Sequence, residues 1–356
     1  MANLKVIGVD PGTRSFDILG MVDGVPFLEL SFPSEVVANN PSYIVDKMLE
    51  FSPDIIIAPS GYGVPLKRID ELTPKDRFCL TLELEKDKNR IPVLKGLQEM
   101  VDILKEKFPE TYFIPSVILL PSVPEWRKFN KIDMGTADKL AIGVLAIYME
   151  SLRKNISYKD VSFVMVEIGY GYNAALLVKD GRIIDGIGGT LFPGPSFLSI
   201  GSMDAELAYL LQNFPKETLF RGGIKDIIGN INDIDEIEKN PNKEEAMLAF
   251  KEGILKAIYE LFSIYEPETI ILSGRLTRNS FIINDLIDLI KNKTNKEIVI
   301  LKGFAKKVKE AAQGSAIIGD GILGGKFKDI VDWTLIKEAT GDVLSYIKIK
   351  NEANFY

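Results

Sequence analysis

Carboxylates at the ends of apolar runs, each followed by glycine, are the residues of this 356-residue chain best placed to do chemistry. The first is Asp10. Leu4, Val6, Ile7 and Val9 lead into it, and Pro11, Gly12, Thr13, Arg14 and Ser15 follow. The pattern predicts a buried strand, a tight loop and a second strand that turns at Asp23-Gly24. Backbone N–H groups of a Gly-Thr loop can cradle a phosphate, and a carboxylate beside it can hold Mg²⁺ through the ion's waters. Asp-x-Gly also ends many ordinary strands, so the reading rests on a second copy, which residues 161–181 supply. Moving 157 residues along takes Asp10 to Glu167, Gly12 to Gly169, Asp23 to Asp180 and Gly24 to Gly181 without a gap. The chain is therefore read as internally duplicated.

The elements that must position these groups repeat as well. Residues 53–61 (PDIIIAPSG) match 267–274 (PETIILSG), with one residue fewer in the second copy. Helical periodicity precedes each, over 43–51 and 246–265. A further strand (112–120; 297–301) and a small-residue helix (136–152; 308–323) follow each. Two copies of hairpin, helix, strand, helix, strand and helix predict two α/β domains facing one another. The expected boundaries are 1–155 and 156–356, with an insertion near 186–245 and an added C-terminal tail.

This pattern resembles the actin-like ATPase superfamily of sugar kinases, heat-shock ATPases, actin and acetate kinases, over roughly residues 3–325. The resemblance implies two duplicated ribonuclease-H-like domains with an interdomain nucleotide cleft. It makes Asp10, Gly12 and Thr13 the first phosphate motif, and Glu167, Gly169 and Gly171 the second. Ser273, Gly274 and Arg275 become the adenosine motif. ATP and Mg²⁺ are the implied cofactors, with Asp10 and Glu167 holding the metal through water. The wording of GVDPGTRSFD, MGTADKLAIG, EIGYGYNAAL and AAQGSAIIGDGILGG is similar to the archaeal family of predicted butyrate kinases. The second phosphate motif usually begins with Asp, from which Glu167 departs by one methylene. An ATP-dependent small-molecule kinase is the implied activity, with a short-chain carboxylate such as butyrate, or else an alcohol, as acceptor. The alternative is an ATP-binding regulatory or chaperone-like switch with no small acceptor.

Bulk properties narrow these readings. A net charge of −7 does not suggest a nucleic-acid or anionic-membrane partner. The single cysteine, Cys79, excludes disulfides and a cysteine-held cluster within one chain. The first strand begins at once, without a leader, and no apolar run reaches the ~20 residues of a bilayer span, so a soluble, cytoplasmic protein is expected. A homodimer is left open. The chain has no histidine, so any catalysis must rest on carboxylates, Lys, Arg, backbone amides and a bound metal. The bacterial acetate kinases set a catalytic histidine beside the transferring phosphoryl group, which this chain cannot do.

Further candidates come from the loops. Arg14 could reach a γ-phosphate or an acidic substrate. Residues 59–73 carry Gly61, Tyr62, Gly63, Lys67 and Arg68 in a loop expected on the substrate side, and 76–90 in a peripheral insertion. Trp126 and Arg127 stand in the loop before Asp133. Asp138 falls in the first turn of the 136–152 helix, either compensating the helix dipole or serving as the base that an alcohol acceptor needs. Asp133 and Lys139 are lesser candidates. Asp204, early in another helix, is balanced between a structural and a functional part, and Arg278 could lie against the nucleoside. Residues 230–245 and 333–356 receive no role.

Overall fold

The computed structural model describes residues 3–87 and 92–349. The first hairpin runs through β1 (Lys5–Pro11), β2 (Ser15–Val22) and β3 (Val25–Pro33), and β4 (Ile55–Ile57), β5 (Lys67–Arg68) and β6 (Thr111–Phe113) complete its sheet. The second sheet is built from β7 (Phe163–Ile168), β8 (Asn173–Lys179), β9 (Arg182–Ile187), β10 (Thr269–Ser273) and β11 (Glu297–Ile300). The orders are β3-β2-β1-β4-β6-β5 and β9-β8-β7-β10-β11. In both, the first three strands are antiparallel and the next two run parallel to the central one. The duplication expected from the sequence is thus a duplication of topology, and the chain has the two-domain actin-like ATPase fold. Both hairpins turn through left-handed pairs, Asp23-Gly24 (φ 49° and 70°) and Asp180-Gly181 (φ 50° and 67°). These are the residue types that such hairpin turns select.

Helical periodicity placed the helices well, with shifted ends: Pro41–Leu49, Ala137–Lys154, Lys243–Phe262 and Glu310–Ile322. The strand expected over 112–120 is a correction. Pairing ends at Phe113, and Val117–Leu119 forms a 3₁₀ turn, because Pro115 supplies no N–H to continue a ladder. The cores do not divide at residue 155. Glu310–Ile322 packs against β1 and Ala137–Lys154, so a helix from late in the chain completes the first half. Glycines allow the approach: a β-carbon on Gly8 would stand 2.3 Å from the Ala316 nitrogen, and one on Gly314 would stand 1.9 Å from the Ala141 carbonyl oxygen.

The tail is a clasp over its described part. Ile336, Ala339 and Val343 are buried in the first core. Trp333 donates its indole N–H to the Asp180 carbonyl (2.9 Å) and lies under the Arg182 guanidinium. Residues 350–356 fall outside the described residues. Among the described residues, no helix is long and apolar enough to cross a membrane.

Candidate active site in the interdomain cleft

β1 and β7 point their C-terminal ends at one another, and the loops that follow them meet. A β-carbon on Gly171 would stand 2.7 Å from the Thr13 hydroxyl. Gly169 is held as closely, since a β-carbon there would lie 2.1 Å from the Tyr172 carbonyl oxygen. Between the loops and outward from them lies a cavity of about 250 Å³. Of the residues named from sequence, Asp10, Gly12, Thr13, Arg14, Asp138, Glu167, Gly169, Gly171, Gly274 and Arg275 line it. Ser273 does not; it is buried at the end of β10, beside Glu167 in the sheet register. Gly274, at φ 93°, turns the chain where a β-carbon would meet the Ile168 backbone at 2.6 Å.

Acids dominate this floor. Asp10, Asp17, Asp133 and Glu167 are buried, and Asp138 is half-buried beside them. Two lysines answer them. The Lys309 ammonium lies 2.5 Å from Asp10 and 3.5 Å from Asp17. The Lys139 ammonium lies 2.7 Å from Asp138 and 3.2 Å from Glu167. Burial raises the Asp10 and Glu167 carboxyls above the ordinary carboxylate range, and the neighbouring lysines only partly offset it. Asp133 is raised by burial too, against hydrogen bonds from the Gly135 and Thr190 amides. Asp138 goes the other way. Burial would raise it, but Lys139 and the Thr136 hydroxyl that donates to it hold it below its ordinary value. Burial works against both ammonium groups, yet Asp138 and Glu167 keep Lys139 raised, and Asp10 and Asp17 do the same for Lys309.

Arg14 is tied rather than free. Its guanidinium makes two 2.6 Å hydrogen bonds to Asp233 and lies 5.4 Å from the Tyr170 ring centre. Asp233 belongs to the 230–245 stretch, which thereby acquires a part: it crosses to the loop that follows β1. Much of the remaining lining is apolar: Leu80, Leu94, Leu97, Val101, Ile114 and Ile142, with the rings of Tyr62, Tyr172 and Phe220.

That wall corrects the expectation for 76–90. Pro74–Thr81 is a helix whose end forms part of the cavity, so the segment is not peripheral over its described residues; 88–90 lie outside them. Gly61 and Tyr62 reach the cavity as expected, but Lys67 and Arg68 do not. Lys67 pairs with Asp76 (2.9 Å), and Arg68 pairs with Asp70 and Glu110. Arg127 donates to the Ile184 carbonyl (2.7 Å), while Trp126 is exposed. Asp204 accepts from the Glu206 amide as a helix cap, and Arg278 lies 3.6 Å from Glu310; neither lines the cavity. Sequence reasoning missed Lys309, Asp17 and Lys216. Only a buried acid's need for a counter-charge pointed toward such partners.

The fold has known relatives. Acetate kinase from Porphyromonas gingivalis superposes with a TM-score of 0.62 at 12% identity, over 90% of this chain and 100% of that one. Acetate kinase from Entamoeba histolytica superposes with a TM-score of 0.57 at 12% identity, over 82% and 87%. At such identities the likeness is one of fold. No curated protein matches the sequence. The family model described as "Protein of unknown function (DUF1464)" matches residues 8–349, and the chain belongs to that family.

Proposed function

We propose that the protein is an ATP-dependent small-molecule kinase that transfers the γ-phosphoryl group to a short acceptor. The observation that carries this reading is the meeting of Thr13 and Gly171 beneath Asp10 and Glu167, with an apolar chamber alongside. Backbone amides of residues 12–13 and 169–171 would cradle the phosphates, and Gly274 and Arg275 would lie against the nucleoside. Asp10, Asp17, Asp138 and Glu167 share two lysines, Lys139 and Lys309, so the floor has room for more positive charge, and the acceptor-only oxygens of Asp10 and Glu167 suit the waters of a hydrated Mg²⁺. Such an ion, when bound, neutralises charge on the β- and γ-phosphates. Lys309 and Lys139 would orient the two carboxylates.

In the transfer, an acceptor oxygen forms a bond to the γ-phosphorus as the bond to the β–γ bridging oxygen breaks, and ADP leaves with that electron pair. An alcohol acceptor passes its proton to Asp138; a carboxylate passes none. The apolar wall suits the chain of an acceptor such as butyrate, and Asp138 at the floor favours a hydroxyl. Purified protein, MgATP and a panel of C3–C6 acids and alcohols test the reading, with ADP release and product mass as readouts. An acceptor-dependent product is expected, and Asp10→Asn should lower its rate by about a hundredfold or more. Nucleotide binding without any acceptor-dependent ADP release would leave the switch reading in its place.

A further inference from the structure

The cavity holds a cation that the phosphate chemistry does not use. Lys216 opens the 3₁₀ turn Lys216–Phe220 in the second half, crosses to the first, and donates to the Leu82 carbonyl at 3.2 Å. Its ammonium lies 5.1 Å from the Tyr62 ring centre and lines the cavity. Burial pushes it down to about 8, against Glu83, Asp87 and Asp133, which face it and favour its charge. An ammonium has three donors, and among the described residues its hydrogen bond is to one carbonyl. Thr81 stands on the same wall, 6% exposed, its hydroxyl without a hydrogen-bond partner. The buried Thr81 hydroxyl is costly to leave unmatched, and the partly exposed Lys216 ammonium has donors beyond its one carbonyl, so a ligand that engages both is the best explanation of the pair.

Their position along the cavity decides what the ligand is. Lys216 faces Glu83, Asp87 and Asp133, and Asp133 faces Asp138 and Lys139. Lys216 is bonded to the Leu82 carbonyl, whereas Asp138 is bonded to Lys139, which reaches Glu167, so the two stand at different parts of a cavity walled also by Leu80, Leu94, Leu97 and Val101. A one-headed acid would either present its carboxylate to the phosphoryl group and leave Lys216 unmatched, or bind Lys216 and offer nothing to phosphorylate. We propose that the acceptor is two-headed: a reacting oxygen at Asp138 and, across a short apolar chain, an anionic group held by Lys216 and Thr81. This inference rests on the kinase reading.

Calorimetry with AMP-PNP-saturated protein tests it, using 4-hydroxybutyrate against butyrate and 1-butanol, and the C3–C6 ω-hydroxy acids for length. The two-headed probe of best length should bind about tenfold or more tighter than either one-headed analogue, as expected of a hydrogen-bonded charge. Lys216→Met should abolish that advantage, and Lys216→Arg should keep part of it. In the wild type the advantage should fall as pH rises through about 8, where the Lys216 ammonium loses its proton, and the Met variant should show no such fall. Thr81→Val, which removes an unmatched hydroxyl, should fold at least as well as wild type and bind the probe several-fold more weakly; it decides the matter should Lys216→Met not fold. No advantage in the wild type, or an advantage that survives both substitutions, overturns the two-headed acceptor alone. Failure of AMP-PNP to bind the wild type overturns the kinase reading beneath it.

Discussion

Glu167 ends a buried strand with one oxygen 3.2 Å from the Lys139 ammonium, yet that oxygen has no aligned hydrogen bond. Nothing in the packing requires the charge, since an amide fills the same space. Burial raises this carboxyl, so the folded chain holds its proton more tightly than the unfolded chain does. The resulting loss of stability is absent below the ordinary value of 4.5 and complete above the raised one. Glu167→Gln should therefore raise the melting temperature at pH 7 by about 2 °C, and the gain should vanish near pH 4. The same variant should bind MgATP more weakly, because a neutral amide orders the waters of Mg²⁺ poorly. A variant less stable than wild type at pH 7 would mean that the ion pair with Lys139 supports the fold. A gain in stability coupled to a loss of binding marks a residue kept for function rather than for folding.

At the scale of elements, the sequence was legible where one local signal settled the geometry. Asp23-Gly24 and Asp180-Gly181 each fix a hairpin by their left-handed turns, and their matched spacing made the duplication visible. The apolar run 117–120 misled because periodicity cannot separate a short buried strand from a buried turn; Pro115 held the answer. What stayed hidden was tertiary. Lys309 meets Asp10 across 299 positions of sequence, and the chamber is assembled from Pro74–Thr81, the helix Pro92–Lys107 and the turn at Lys216. Glu310–Ile322 is the second of the small-residue helices, and Gly314 shows how closely such residues let it pack. Glycine inside a helix costs about 1 kcal/mol relative to alanine, so propensity alone favours Gly314→Ala. Packing opposes it, because the added carbon would sit 1.9 Å from a backbone oxygen of Ala141, and neither backbone can step aside cheaply. Overpacking of that kind costs typically 1–3 kcal/mol or more. Thermal unfolding of Gly314→Ala should show a melting temperature lowered by several degrees; one equal to wild type would mean that the helix pair can separate freely.

Across the whole molecule, the two halves are strapped at the cleft as well as packed behind it. On one side Arg14, in the loop that follows β1, holds Asp233, in a stretch whose Ile231, Ile234 and Ile237 are buried in the second core. On the other, Lys216 reaches the Leu82 carbonyl and Lys86 donates to Asn213 (2.8 Å). The Arg14 strap borders the proposed nucleotide site, since Arg14, Tyr170 and Arg275 line the same cavity. Its two partners are 40% and 33% exposed, so the pair contributes at most about 1 kcal/mol despite its two-pronged geometry. A contact of that strength would restrain the cleft without ligand and yield to a phosphate, which offers Arg14 an equivalent bidentate partner. Asp233→Asn should therefore speed AMP-PNP association, by about fivefold at most, with the effect shrinking at high salt. Stopped-flow binding measures the rate. Small-angle scattering should show a larger radius for the unliganded variant than for unliganded wild type, and equal radii once AMP-PNP saturates both. An unchanged or slower association would mean that Asp233 positions Arg14 for the nucleotide instead of restraining it.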